Sequence, residues 1–181
     1  FGDGFVIVSC FGEESLDRAT SIAIALMRHV LASGGLAKAS ISEGGFSDIK
    51  NCYPKPVIDN EHDGAVCIGA GLMTIIPVMG TALINAVSVD KRSPSGSLIT
   101  IDSTNKVRIS SNFQVNGIEN NLHSINWLID EHDLVSEIMT ESGLNVQSEG
   151  QRVKMLQKYI KENKLKPNWI RTTCFEQKIS I

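Results

Sequence analysis

The stretch Gly80-Thr81-Ala82-Leu83-Ile84-Asn85-Ala86-Val87-Ser88-Val89 and, beyond a break, Leu98-Ile99-Thr100-Ile101-Asp102 decides the reading of the fold. Pro77 lies upstream of the first segment, where it leaves a helix uninterrupted, and the pattern predicts a helix over roughly Thr81 to Val89. Lys91-Arg92-Ser93-Pro94-Ser95-Gly96 ends it, because Pro and Gly interrupt helical backbone. The β-branched run from Leu98 to Ile101 then predicts a strand ending at Asp102.

Upstream, Leu36 to Ile41 alternates over a short run and predicts a strand that opens into Gly44-Gly45. Before it, Leu16, Ala19, Ala23, Leu26, Met27 and Val30 recur at helical spacing. Ser15 is the expected cap of that helix, which runs to about Ala32 and stops at Ser33-Gly34-Gly35. At the start, Gly2-Asp3-Gly4 predicts a tight turn and Phe5-Val6-Ile7-Val8 a strand. The chain enters this apolar run at once and without Met, so a further upstream segment is expected.

Between these parts, Phe46 to Gly64 carries Pro54, Pro56, Asp59, Asn60, His62 and Asp63 and reads as a long loop or an excursion, followed by a short strand at Ala65 to Ile68. Downstream, Leu122, Ile125, Leu128, Ile129, Ile138 and Met139 predict helix within 121–142. A final helix is expected over about Gln151 to Asn163, with Pro167 as its stop. The expected class is α+β, a mostly antiparallel sheet flanked by helices. The expected organisation is an α/β domain over 1–120 and a helical C-terminal segment over 121–181.

Composition narrows the function classes. Of 181 residues, 42% are hydrophobic and 20% charged, which supports a folded core. Seventeen Lys+Arg against twenty Asp+Glu give a net charge of -3, which argues against a nucleic-acid binder. Cys10, Cys52, Cys67 and Cys174 form no C-x-x-C pair, so a zinc module or disulfide scaffold is not expected. No apolar run reaches the ~20 residues of a membrane span, and the expected setting is cytoplasmic, with no membrane partner.

Several residues have two readings each. Asp3, on a turn, is either a hard-cation ligand or a residue that favours the turn. Glu43-Gly44-Gly45 and Gly69-Ala70-Gly71 either bring backbone amides to phosphate or serve as turns and close packing points. His62-Asp63 with Cys52 and Cys67 matches no zinc spacing. Glu131-His132-Asp133 reads as a solvated charged break, and Trp127 and Trp169 read as core or interface anchors.

Over about residues 1–103, the Asp3 hairpin, the helix, the short strand and the Gly80-led helix follow an order that resembles the class III adenylate and guanylate cyclase domain. The resemblance is to its divergent bacterial members, the pyrimidine (cytidylate and uridylate) cyclases of antiphage signalling. It implies a nucleoside triphosphate substrate, UTP or CTP, converted to a 3′,5′-cyclic monophosphate and pyrophosphate at a homodimer interface. It also implies Mg²⁺ or Mn²⁺, with Asp3 as one metal-binding aspartate; the family's other aspartate lies on a preceding strand that this sequence does not contain. Aligned on Gly80, the family's helix asparagine and transition-state arginine fall on Ile84 and Ser88, and Asn85 is one residue off and expected on another side of the helix. Lys38, on a strand where relatives often carry arginine, is the candidate replacement catalytic cation, while Lys91 and Arg92 read as solvated charges. The alternative is a cyclase-like module that has lost catalysis and senses a nucleotide or acts as a scaffold.

Overall fold

In the computed structural model, which describes residues 6–9, 12–48, 54–59, 61–62, 65–68, 71–74 and 78–180, the first long helix forms as α1, Ser15–Ala32, with Glu14 at its N-cap. Ser15 is its first helical residue and not the expected cap, since its Oγ donates back to Ser9 O. The buried face of α1 carries Leu16, Ala23, Ile24, Met27 and Leu31, while Ala19, Leu26 and Val30 of the expected set are only half-buried. The chain leaves α1 through Gly34 at φ +81°, with Gly35 N–H bonded back to Val30 O at 2.9 Å.

The order continues through β1 (Ala39–Ile41), β2 (Ser47–Asp48), α2 (Lys55–Asp59), β3 (Glu61–His62), β4 (Ala65–Ile68), β5 (Gly71–Thr74) and β6 (Val78–Met79). The helix α3 (Thr81–Arg92), strand β7 (Ile99–Asp102), short α4 (Ser103–Lys106) and hairpin β8 (Val115–Ile118) and β9 (Leu122–Ile125) follow. Three helices close the chain: α5 (Asp133–Glu141), α6 (Glu149–Glu162) and α7 (Pro167–Glu176).

The principal sheet has the order β1-β7-β9-β8. β1 runs parallel to β7 with Ser40 opposite Thr100, and β9 runs antiparallel to both β7 and β8. The fold is therefore α+β with a mixed four-stranded sheet flanked by helices. The long excursion expected between β1 and α3 is not bare loop: it carries α2 and two small antiparallel sheets, β2-β6 and β3-β4-β5.

The strand expected over Phe5 to Val8 does not form in its described residues 6–8, and two further expectations are corrected. Residues 121–142 are not helical throughout, since Leu122–Ile125 is β9 and helix starts only at Asp133. Leu122, Ser124 and Ile125 are all buried, so β9 is covered on both faces and lacks the alternation that marks a strand. Pro167 does not end the helical region; it stands at the start of α7, where a missing N–H costs nothing.

The core joins α1, β7, β9 and the C-terminal helices around Trp127, whose indole N–H donates to Ser97 O at 2.9 Å. Ile99 and Ile101 face it from β7. Arg28 on α1 and Arg152 on α6 are 4% and 3% exposed, and both grip the segment after β9. Arg28 Nε donates to Trp127 O at 2.8 Å and its Nη2 to Asp130 O, while Arg152 Nε donates to Leu128 O and its Nη2 meets Glu131 Oε1 at 3.1 Å. These buried guanidiniums satisfy carbonyls that no strand or helix would otherwise pair. Burial, and then the like charge of Arg152, hold the Arg28 guanidinium well below its ordinary pKa, at about 10.

Candidate functional site

The helix α3 lies on β1 and β7, and among its described side chains only Val89 is buried. Its N-terminus is locked against the segment that leaves β1. Gly45 O accepts from Ala82 N–H at 3.2 Å, Gly45 N–H donates to Thr81 Oγ1 at 2.8 Å, and Asn85 Nδ2 donates to Glu43 O at 3.1 Å. A Cβ at Gly44 would stand 2.6 Å from Ala82 N, and one at Gly80 would stand 2.1 Å from Gly45 O. Of the two readings of Gly44-Gly45, these contacts fit close packing: a Cβ at Gly44 has no room, and the Gly45 amide is already bonded to Thr81.

Beside this junction an open cleft of about 570 Å³ is lined by Glu43, Asn85, Ser88, Arg92, Asp102 and Arg108 among others. Asn85, Ser88 and Arg92 stand three and four residues apart and therefore share one face of α3. The expectation for Asn85 holds: it lies on another side of α3 from Ile84, and it is on this side that the cleft opens, beside Ser88. Ile84, by contrast, is 66% exposed on α3.

Opposite α3, Asp102 at the end of β7 caps α4. Its Oδ1 accepts from Asn105 N–H at 2.8 Å and its Oδ2 from Asn105 Nδ2 at 3.3 Å. Arg108 pairs with the Glu43 carboxylate across the cleft. Arg92 donates from Nε to Ser88 O at 3.3 Å and from Nη1 to Asn120 O at 3.2 Å. The lining thus sets two guanidiniums, an amide and a hydroxyl beside the carboxylates Glu43 and Asp102, and the donors not engaged by protein groups suit an oxyanion such as phosphate.

The residues singled out in the sequence are dispersed. Asp3 lies outside the described residues, as do Cys52, Asp63, Gly69 and Ala70. Lys38 Nζ meets Asp90 Oδ1 at 3.0 Å and Asp90 O at 3.3 Å. Asp90 is two residues from Ser88, about 200° around the helix, so Lys38 is held on a different flank of α3 from the cleft. Glu131-His132-Asp133 starts α5: His132 Nδ1 accepts from Leu134 N–H at 3.3 Å, and its ring stacks on Phe113 with centroids 4.1 Å apart.

Among the described residues no group of three His, Cys, Asp or Glu side chains could hold a metal ion. The two carboxylates of the cleft do not fit that role, since Asp102 is committed to Asn105 and Glu43 to Arg108. Arg108 and Asp102 were not picked out as site residues in the sequence. Asp102 followed by Asn105 carries a short helix-start signal, but nothing in the sequence brings Arg108 to Glu43, 65 residues away. Among the described residues, no helix is long and apolar enough to cross a membrane. The chain matches no protein-family model, no curated protein and no solved structure.

Proposed function

We propose that the protein is a nucleotide cyclase related to the class III domain, acting on a nucleoside triphosphate, UTP or CTP, as a cytoplasmic homodimer. The single observation that carries this reading is the shared face of Asn85, Ser88 and Arg92 on the helix opened by Gly80, lining a cleft with Arg108 on its far side. In the reaction the ribose 3′-oxygen attacks the α-phosphorus. A new O3′–Pα bond forms, the bond from Pα to the bridging oxygen breaks, pyrophosphate departs with that oxygen, and the hydroxyl proton passes to water. Negative charge grows on the departing pyrophosphate, and a fixed guanidinium lowers the barrier by stabilising it.

Arg92 fits that task better than Lys38, because Arg92 lines the cleft and Lys38 is paired with Asp90. Mg²⁺ or Mn²⁺ belongs to the same proposal, with Asp3 as its ligand and neither Glu43 nor Asp102 taking part. The antiphage setting likewise rests on the resemblance alone.

A second reading, a nucleotide-sensing module without turnover, is favoured by Ser88: a neutral hydroxyl stands in the cleft where the resemblance calls for a charge. Calorimetric titration of the full-length protein with each of the four triphosphates, with products analysed by mass spectrometry, separates the two. Binding with a cyclic monophosphate supports the cyclase, binding without any product supports the sensor, and no binding at millimolar ligand removes both.

A further inference from the structure

Arg92 exchanges two bonds with Asn120 at the tip of the β8–β9 hairpin, one from its guanidinium and one to its backbone carbonyl. Its Nη1 donates to Asn120 O at 3.2 Å, and Asn120 Nδ2 donates back to Arg92 O at 3.3 Å. The hairpin tip is itself fixed. Asn120 and Asn121 take φ of 61° and 57°, a two-residue turn that Asn tolerates and that Leu122 N–H closes onto Glu119 O at 3.3 Å. Ser103 adds two bonds to Asn121 O, from its N–H at 3.0 Å and its Oγ at 2.9 Å. The turn is thus anchored to the β7–α4 junction, which forms the opposite wall of the cleft.

A guanidinium has five N–H donors in one plane. The bonds from Nε to Ser88 O and from Nη1 to Asn120 O engage two of them and leave the rest for a ligand in the cleft. Exposed arginines ordinarily sample many rotamers, and fixing one costs entropy at the moment of binding. Here that cost is met within the fold.

We propose that Arg92 is the polyphosphate-contacting residue of the cleft and that Asn120 is its positioning residue, which holds the guanidinium ready for the ligand. The proposal rests on the nucleotide reading above. A planar fork matches paired phosphate oxygens, and Arg108 supplies a second guanidinium at the same cleft. Free polyphosphate and the triphosphate of a nucleotide present the same chemistry to it.

The test is calorimetric titration of the full-length protein with inorganic tripolyphosphate and, in parallel, with UTP and CTP. Arg92→Ala is expected to weaken tripolyphosphate binding about tenfold, as loss of a charge-assisted hydrogen bond does. Asn120→Gly keeps the positive φ and the carbonyl that accepts from the guanidinium but removes the side-chain tether to Arg92 O. With the turn no longer tied to α3, binding is expected to weaken about threefold, the scale of one neutral hydrogen bond. Asn121→Gly, which loosens the same turn but leaves the Arg92 contact, is expected to bind as the wild type does. In the Arg92→Ala background Asn120→Gly is expected to add nothing, a coupling that general loosening of the fold would not produce. Tripolyphosphate affinity unchanged in Arg92→Ala overturns the contact, and equal effects of Asn120→Gly and Asn121→Gly overturn the positioning role. Should Arg92→Ala fold poorly, Arg92→Lys keeps the charge without the fork, and affinity as in the wild type contradicts the proposal. Expected tripolyphosphate binding with no cyclic product from any triphosphate leaves this inference standing and removes the cyclase. Cyclic product with wild-type binding in both variants does the reverse.

Discussion

Gly80 and Gly45 approach so closely that a Cβ on Gly80 would stand 2.1 Å from the Gly45 carbonyl oxygen, the same oxygen that accepts from Ala82 N–H at 3.2 Å. One wall of the cleft, from Glu43 to Gly45, is thereby held on the first turn of the helix that supplies another.

Gly80→Ala is therefore expected to destabilise the protein by about 3 kcal/mol, since backbone atoms must move to admit the methyl group. Gly143→Ala, at φ +65° with open space around it, is expected to cost about 1 kcal/mol from backbone conformation alone. Urea unfolding of the two variants checks this contrast. Equal losses would show that the Gly80–Gly45 contact yields easily.

Arg28 gives a prediction in pH. Its pKa in the fold is lowered to about 10, so below that pH it is charged in both folded and unfolded states and the full cost of burying the charge is present. As pH rises through 10 toward the ordinary guanidinium value, the folded form releases its proton first and that cost is relieved. Wild type should therefore gain about 1 kcal/mol over Arg28→Gln between pH 9 and 11, while their difference stays level from pH 6 to 9. Denaturant unfolding across this range tests the sign, and a difference that shrinks above pH 10 would contradict it.

Thr173 ties α7 to the strand side of the core. Its Oγ1 accepts from the buried Ser97 N–H at 3.0 Å and donates to Trp169 O at 2.9 Å. Thr173→Val keeps the shape but orphans Ser97 N–H, and a loss of about 2 kcal/mol is expected in thermal unfolding. Faster hydrogen exchange at Ser97 should accompany it.

Much of the fold was legible because local chemistry and tertiary demand agree there. The periodicity of Leu16 to Val30 and the Gly34-Gly35 stop give α1, and Gly80 followed by a helical run gives α3. β9 was not legible. Both of its faces are buried, and its turn relies on Asn120 and Asn121 in left-handed conformation without the usual glycine. Pro167 was misread because proline both ends and begins helices, and only the packing of α7 decides between them. At the site, the sequence sets Asn85 on another side of the helix from Ile84, but only the packing of α3 on β1 and β7 puts that side in the cleft. Arg92 is exposed, as a solvated charge is, and its contact with Asn120, 28 residues away, is not written in the sequence.

Nucleotide cyclisation is read from the products of the proposed reaction. Full-length protein is incubated with each labelled triphosphate and Mn²⁺, beside Asp3→Asn, over a range of protein concentrations, and the products are identified by mass spectrometry. One cyclic pyrimidine monophosphate with pyrophosphate is expected from the wild type, and its loss in the variant. No cyclic product from any of the four triphosphates would contradict the proposed cyclisation.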